Sequence, residues 1–430
     1  MRPLHVLLSL VLFMGSHSQT GAMHPVRSRH AMVVSEEPLA TSVGAAVLKS
    51  GGNAIDAAVA VGFALAVTLP AAGNIGGGGF LLARFTDGRT TFIDFRERAP
   101  QAASRDMYLS SSGELTRDSI EGWRAPGVPG TVRGLEYAHR KYGSKKWSEL
   151  LAPAVELAEK GFEVSYGLSE SLKGSSRLRS FPESRRIFLN NGKTFEPGDR
   201  ITQPELARTL SRIARRGARE FYVGKTARKL ARAMASNGGL ITLEDLKNYE
   251  PVERAPLTGS YKGYSIITAP PPSSGGIGLL QMLGVLEGSA YQAHGWGSAA
   301  AIHFVAETMK RYYADRSEFL GDPDFIRVPV ESLLSPAYIS ELRASIDPEK
   351  ATPSGDIRPG IHFTHESSET THFSIVDAEG NAVALTYTLN GSYGSGVTVP
   401  ELGFLLNNEM DDFSAKPGEP NMFGLVQGEF

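Results

Sequence analysis

Two stretches near the C-terminal end of this 430-residue chain place hydroxyl, imidazole and amide side chains where a reaction could use them. Glu369-Thr370-Thr371-His372-Phe373-Ser374-Ile375-Val376-Asp377 is followed by Ala378-Glu379-Gly380. The chain then returns from Asn381 to Asn390 with Thr386, Thr388 and Asn390 set among apolar residues. A three-residue hairpin loop takes a type I turn and then a left-handed residue, usually Gly. With Gly380 in that place, Asp377 pairs with Asn381, and counting back sets Thr370 opposite Thr388. Opposed residues have Cβ atoms ~5 Å apart, so two hydroxyls can meet on one face, with Asn390 two residues along it. A two-residue loop would slip the register by one and turn Thr388 to the other face. The plain alternative is structural, since Thr favours strands and Thr–Thr cross-strand pairs are common.

The chain has no cysteine, which excludes disulfides, thiolate nucleophiles, Cys-ligated zinc and iron–sulfur clusters. A nucleophile must then come from Ser, Thr, Lys or a carboxylate. His362, His365 and His372 lack the spacing of a metal-ligand framework, so no metal is expected. Gly76 to Gly79 is not followed by the Lys-Ser/Thr of a phosphate loop and reads as close backbone packing. Ser273-Ser274-Gly275-Gly276 reads as a turn and helix start.

These residues need a scaffold, and the pattern supplies one. Ala40–Ser50 and Ala54–Leu69 read as two Ala-rich helices parted by Gly51-Gly52-Asn53, the second apolar enough to be buried. A hairpin follows, Phe80–Phe85 with Thr90–Phe95 about Asp87-Gly88. Further helical periods cover Gly130–Tyr142, Trp147–Lys160, Gln203–Arg216, Lys225–Ser236, Ile277–Leu286 and Ala299–Ala314. The helix at Gln203 is expected to open on a capping box of Thr202 with Glu205 and to close at Gly217. Strand patterns cover Tyr264–Thr268, Thr371–Asp377 and Ala382–Leu389. Strands at both ends with helices between suit a layered α/β or α+β architecture whose sheet closes late.

Lys and Arg number 44 against 46 Asp and Glu, a balance that argues against nucleic acid or an anionic membrane surface as main partner. Met1-Arg2, the apolar stretch Leu4 to Met14 and small residues up to Ala22 have the order of a secretory signal. The apolar run is too short to span a ~30 Å hydrocarbon core, so residues 1–22 read as a cleaved leader, without stable membrane insertion. The expected location is periplasmic or extracellular.

Taken together, Thr370-Thr371-His372-Phe373-Ser374 through Asn390 and Leu405-Leu406-Asn407-Asn408-Glu409-Met410-Asp411-Asp412-Phe413 closely resemble the γ-glutamyltransferases (γ-glutamyl transpeptidases). Gly73–Phe80, Asp94-Phe95-Arg96-Glu97, Pro270–Gly276 and Asp315-Arg316-Ser317-Glu318 match the same family, from about Ser35 onwards. The resemblance implies an N-terminal-nucleophile hydrolase of α+β class, a four-layer αββα sandwich. It implies a precursor cut between Glu369 and Thr370, giving a large-subunit region 23–369 and a small-subunit region 370–430.

Thr370 would then be the nucleophile and its freed α-amine the base, with Thr388 tuning the hydroxyl. Arg96 would bind the substrate α-carboxylate, Glu409 and Asp412 its α-ammonium, and Asn390 the bound glutamyl group. Each has a bland alternative: Arg96 in a surface pair with Asp94 or Glu97, and Asp411-Asp412 in a solvated loop. The implied substrates are glutathione and other γ-glutamyl compounds, with amino acids or dipeptides as acceptors and no cofactor. The rivals are a β-lactam side-chain (glutaryl-type) acylase of the same superfamily and an inactive exported binding or scaffold relative.

Two departures from the family stand out. Phe423 replaces the lid Tyr of many bacterial members. The family's later Ser-Ser pair and its oxyanion-binding Gly-Gly pair do not occur in this chain, so the resemblance implies a truncated C-terminal part and very low activity without it.

Overall fold

The hairpin that carries Thr370 and Thr388 lies in the middle of the main sheet. The computed structural model describes residues 25–357, 370–413, 415–416, 419 and 421–423. The expected leader at 1–22, His362, His365 and Glu369 lie outside the described residues. Six strands form one antiparallel sheet: β1 (Met32–Val34), β2 (Gly78–Arg84), β3 (Thr90–Asp94), β4 (Val252–Arg254), β5 (Thr371–Val376) and β6 (Ala382–Thr388). Their order is β1-β5-β6-β2-β3-β4, so the two ends of the described chain share one sheet. β1 and β4 are three residues long, too short to show a period of two in the sequence.

The β5–β6 register is the one the loop chemistry predicts. Ala382 pairs with Val376 and Tyr387 with Thr371. Gly380 has φ 89°, a conformation that suits glycine because it lacks Cβ, and the Asp377 N–H donates to the Asn381 carbonyl at 3.0 Å. One face of the hairpin is core: Thr371, Phe373, Ile375, Val383, Leu385 and Tyr387 are buried, whereas His372, Ser374 and Val376 on the other face are exposed.

The buried face rests on a helix that is apolar all round. α1 (Pro38–Lys49) leads into α2 (Ala54–Thr68), all of whose residues are buried. A helix with no polar stripe has to be enclosed, and α2 packs against α1, β6, α3 (Thr131–Tyr142) and α4 (Trp147–Lys160). Its start is capped by Asn53 and Asp56 in a reciprocal box. Its middle accepts a hydrogen bond from the Tyr387 hydroxyl at the Gly62 carbonyl, 2.9 Å.

The helix expected to open at Thr202 starts one residue later than its capping box requires. Pro204 takes the first helical position, for which its fixed φ is suited, and Gln203 is the N-cap without a side-chain cap bond. The Gln203 amide instead donates to the Val67 carbonyl of α2, and Glu205 faces Arg186 and Arg208. The helix closes at Gly217 as expected. The helix at 299 runs on to Phe319, and within its last turns Asp315 accepts from the Tyr338 hydroxyl (2.6 Å) and the Gln281 amide (2.8 Å). The Ser273–Gly276 corner does begin a helix, Gly275–Glu287. It is braced by Tyr312 on the Ser274 carbonyl and Arg316 on the Ser274 hydroxyl. Among the described residues no helix is long and apolar enough to cross a membrane.

Asp377 ties the hairpin turn to α2. Its buried carboxylate accepts the N–H groups of Ala54, Glu379 and Asn381 and the Asn381 side-chain amide, at 2.9–3.0 Å. Removing the acceptor leaves buried donors unpaired, at ~1–3 kcal/mol each before relaxation. Asp377→Ala is therefore expected to destabilise the protein by about 2–4 kcal/mol. A chemical-denaturation midpoint equal to that of the parent would show that the clamp contributes nothing.

Candidate active site

Continuing the β5–β6 register by one place sets Thr370 opposite Thr388. Both fall on the face away from α2, with His372 and Thr386, whose Nδ1 and Oγ1 meet across the strands at 2.7 Å. Thr370 is exposed and Thr388 partly buried. The Thr388 hydroxyl oxygen accepts the Asn390 N–H at 2.9 Å. Asn390 does not simply continue the strand's alternation: its φ of 75° turns the chain, and its side-chain amide donates to the Asn408 carbonyl at 3.0 Å. The sequence spacing places Asn390 beside Thr388, but not this bend.

A wall of main chain backs the pair. Gly78 lies opposite Thr388 on β2, and a Cβ there would stand 2.5 Å from Glu97 Oε2. Side chain at this position would collide with the site, so the glycine run serves close approach and not phosphate binding. Asn74 donates to the Thr388 carbonyl (2.8 Å) while its own carbonyl oxygen accepts from Gly77 N–H and the Thr131 hydroxyl. Asn407 donates to the carbonyls of Gly76 and Gly127 and accepts the N–H groups of Gly127 and Glu409. These buried amides fasten the 405–412 segment to β2 and to the loop before α3.

Beside the threonines lies a charged cluster. One nitrogen of Arg96, Nη2, pairs with Glu409 and also reaches Asp412 at 2.7 Å. The Arg96 side chain is 30% exposed, and those of Glu409 and Asp412 are 5% and 27% exposed. The two carboxylates hold the guanidinium ionised against its burial. Burial pushes the Glu409 carboxyl up to about 7, with Arg96 pulling against it and Asp412 adding to the rise. Arg96 thus has its ion partners in the 409–412 turn and none in Asp94 or Glu97. Asp94 accepts the Arg96 main-chain N–H and pairs with Arg254.

Asp411 is buried, not solvated: its carboxylate accepts the Ser119 hydroxyl and the Met422 N–H, both at 2.9 Å. It draws 421–423 against the site, with Phe423 partly buried there and its N–H on the Asn421 side chain. Asp411, Asn74, Asn407 and Glu97 went unassigned in the sequence. The signal available for Asn74 and Asn407 was a polar residue set in or against a glycine or leucine run, where a solvated side chain has no place. No group of His, Asp and Glu suited to a metal occurs among the described residues.

On this α+β scaffold the site thus combines a strand-borne Thr pair, an amide-lined wall and an arginine–carboxylate cluster. The gamma-glutamyltranspeptidase family model matches residues 40–429, and the chain belongs to that family. Over 409 residues it is 51% identical to the glutathione hydrolase proenzyme of Escherichia coli (strain K12), covering 94% of this chain and 70% of that protein. The crystal structure of Helicobacter pylori gamma-glutamyltranspeptidase matches with a TM-score of 0.76 at 45% identity, covering 80% of this chain and 100% of that one. The cephalosporin acylase of Bacillus halodurans shares the fold with a TM-score of 0.78 at 26% identity, covering 96% and 77% of the two chains.

Proposed function

We propose that this chain is an exported γ-glutamyltransferase and glutathione hydrolase that cuts itself before Thr370. The γ-glutamyl group passes to Thr370 as an ester and then to water or to the amine of an amino acid or dipeptide. The observation that carries the reading is Arg96 held between Glu409 and Asp412. An α-amino-acid head brings one carboxylate and one ammonium. It can take the guanidinium from the two carboxylates and hand them a cation in return. A glutaryl group brings the carboxylate alone, and would leave two part-buried carboxylates without a partner, a large cost. The relatives named as glutathione hydrolase proenzymes support both the substrate and the processing.

The chemistry follows from the hairpin. A Thr hydroxyl is a weak nucleophile until a base stands next to it. Cleavage gives Thr370 an α-amine with a pKa of ~8, able to take the hydroxyl proton as the oxygen attacks the γ-carbonyl carbon. The amide C–N bond breaks and the leaving amine carries that proton away. Thr388, opposite, orients the attacking oxygen, and Asn390 contacts the glutamyl group. Large and small subunits from one precursor, and a periplasmic or extracellular location, complete the proposal.

The acylase reading has the structural match to the cephalosporin acylase in its favour. Parallel assays with a γ-glutamyl anilide and a glutaryl anilide decide between the two. Preference for the glutaryl compound would transfer the protein to the acylase branch. The pH profile gives a second check. Glu409 ionises near 7 in the free site, and only its anionic form attracts an ammonium. As pH falls the Thr370 amine takes a proton first and Glu409 follows near 7, so kcat/KM for the γ-glutamyl anilide is expected to fall more steeply than the amine's tenfold per unit, towards ~100-fold per unit, well below 7. A glutaryl substrate should show no such limb from Glu409.

A further inference from the structure

The even charge balance of the whole chain conceals an uneven distribution. Residues 204–236 carry nine Lys and Arg against two Glu, which leaves 35 against 44, a net −9, for the rest of the chain. Helices α5 (Pro182–Phe188), α6 (Pro204–Arg216) and α7 (Lys225–Ser236) meet the Pro400-Glu401 turn around a hollow of about 370 Å³. α6 buries Leu206, Leu210 and Ile213, and α7 buries Leu230 and Met234, so their cations are left to the outer side. Five cations line the hollow, Arg186, Arg208, Arg212, Lys225 and Lys229, against three carboxylates.

Those carboxylates are shared thinly. One oxygen of Glu205 serves both Arg186 (3.5 Å) and Arg208 (3.4 Å), and Arg186 also meets Glu183 at 2.8 Å. Glu401 pairs with Lys229, while Arg212 and Arg216 divide the buried Glu220 at 3.3 and 3.4 Å. Lys225 is exposed and forms no ion pair among the described residues. Burial lowers the Arg212 pKa from its usual value, and Arg208 and Arg215 add to the fall against the pull of Glu220. Arg232, near Glu401, extends the positive surface at the rim.

We propose that this hollow binds a phosphate monoester group, with the fork of Arg208 and the unpaired ammonium of Lys225 as its main donors. A ligand carboxylate would add only what Glu183, Glu205 and Glu401 already supply. A phosphate group brings up to two charges and three acceptor oxygens on one centre, which suits several cations that now repel one another. None of the lining residues belongs to the γ-glutamyl site, and the ligand is independent of that reaction.

Two probes separate a free phosphate from a lipid-borne one. The full chain is titrated with sodium pyrophosphate by calorimetry, and sedimented with phosphatidylcholine vesicles containing phosphatidic acid. Binding to either supports the site; binding to neither overturns it. Sodium citrate bound as tightly as pyrophosphate would show a hollow that reads charge alone, and would overturn the assignment to phosphate. Arg208→Gln with Lys225→Gln is expected to weaken binding by at least ~10-fold for each charge removed. Both residues are exposed, so the fold should be kept. Glu401→Gln takes an acid from the rim and frees Lys229, and is expected to tighten binding by ~3–10-fold. Unchanged affinity in the double variant, or no gain in Glu401→Gln, would sink the site. Turnover of a γ-glutamyl anilide is no part of the readout, so failure of the proposed function leaves this result untouched.

Discussion

Thr370→Ala is expected to give a protein that stays as one chain and loses at least ~10⁴-fold in turnover, because nucleophile and base are removed together. Replacing the hydroxyl deletes the attacking atom for cleavage, and an uncut chain never exposes an α-amine at 370. The parent should yield two fragments, the smaller beginning at Thr370. N-terminal sequencing that places the new terminus elsewhere would remove Thr370 from the mechanism. Thr370→Ser keeps the hydroxyl and should still cut, which separates loss of chemistry from loss of fold. The substitution site is exposed, so folding of the Ala variant should be little affected.

Arg96→Ala is expected to lower kcat/KM for γ-glutamyl substrates by about 10²–10³-fold, as truncating one partner of a part-buried charge cluster costs ~2–5 kcal/mol. The loss has two sources: the substrate carboxylate has no fork to meet, and Glu409 and Asp412 face each other without a cation. Arg96 holds the Glu409 pKa down, so its removal should also move the acid limb of the pH profile above 7. Arg96→Lys should remain poor, because a point charge cannot reproduce the planar donors. Kinetics within a factor of ~2 of the parent for both variants would refute the assignment.

How much of this site was legible in the sequence depends on how far apart the partners lie. The β5–β6 register could be read because the turn is local: Asp377, Gly380 and Asn381 decide it within five residues, and the structure keeps it. The burial of α2 was legible from its unbroken apolar run. The meeting of Arg96 with Glu409 was not, since 313 residues separate them and no local pattern encodes it. Only the resemblance brought those two residues together, and it assigned them to a ligand instead of to each other. The failed capping box at Thr202 shows the opposite error. The local motif was present, but Pro204 fixed the helix start and a distant carbonyl on α2 claimed Gln203. Glu97 escaped because an unpartnered buried acid is defined by what surrounds it, and the sequence next to it offers an arginine that is engaged elsewhere.

The mutual neutralisation of Arg96 by Glu409 and Asp412 bears on how a ligand arrives. One guanidinium facing one carboxylate and a second carboxyl that is half-protonated near neutrality projects little net field beyond the pocket mouth. A zwitterionic amino-acid head has almost none to answer it. Encounter should then proceed without long-range steering, and kcat/KM should change little between low and physiological ionic strength. Discrimination among γ-acyl compounds is made after contact, in the exchange of the two internal ion pairs of Arg96 for pairs with the ligand's own charges, and is expressed in how long each ligand stays.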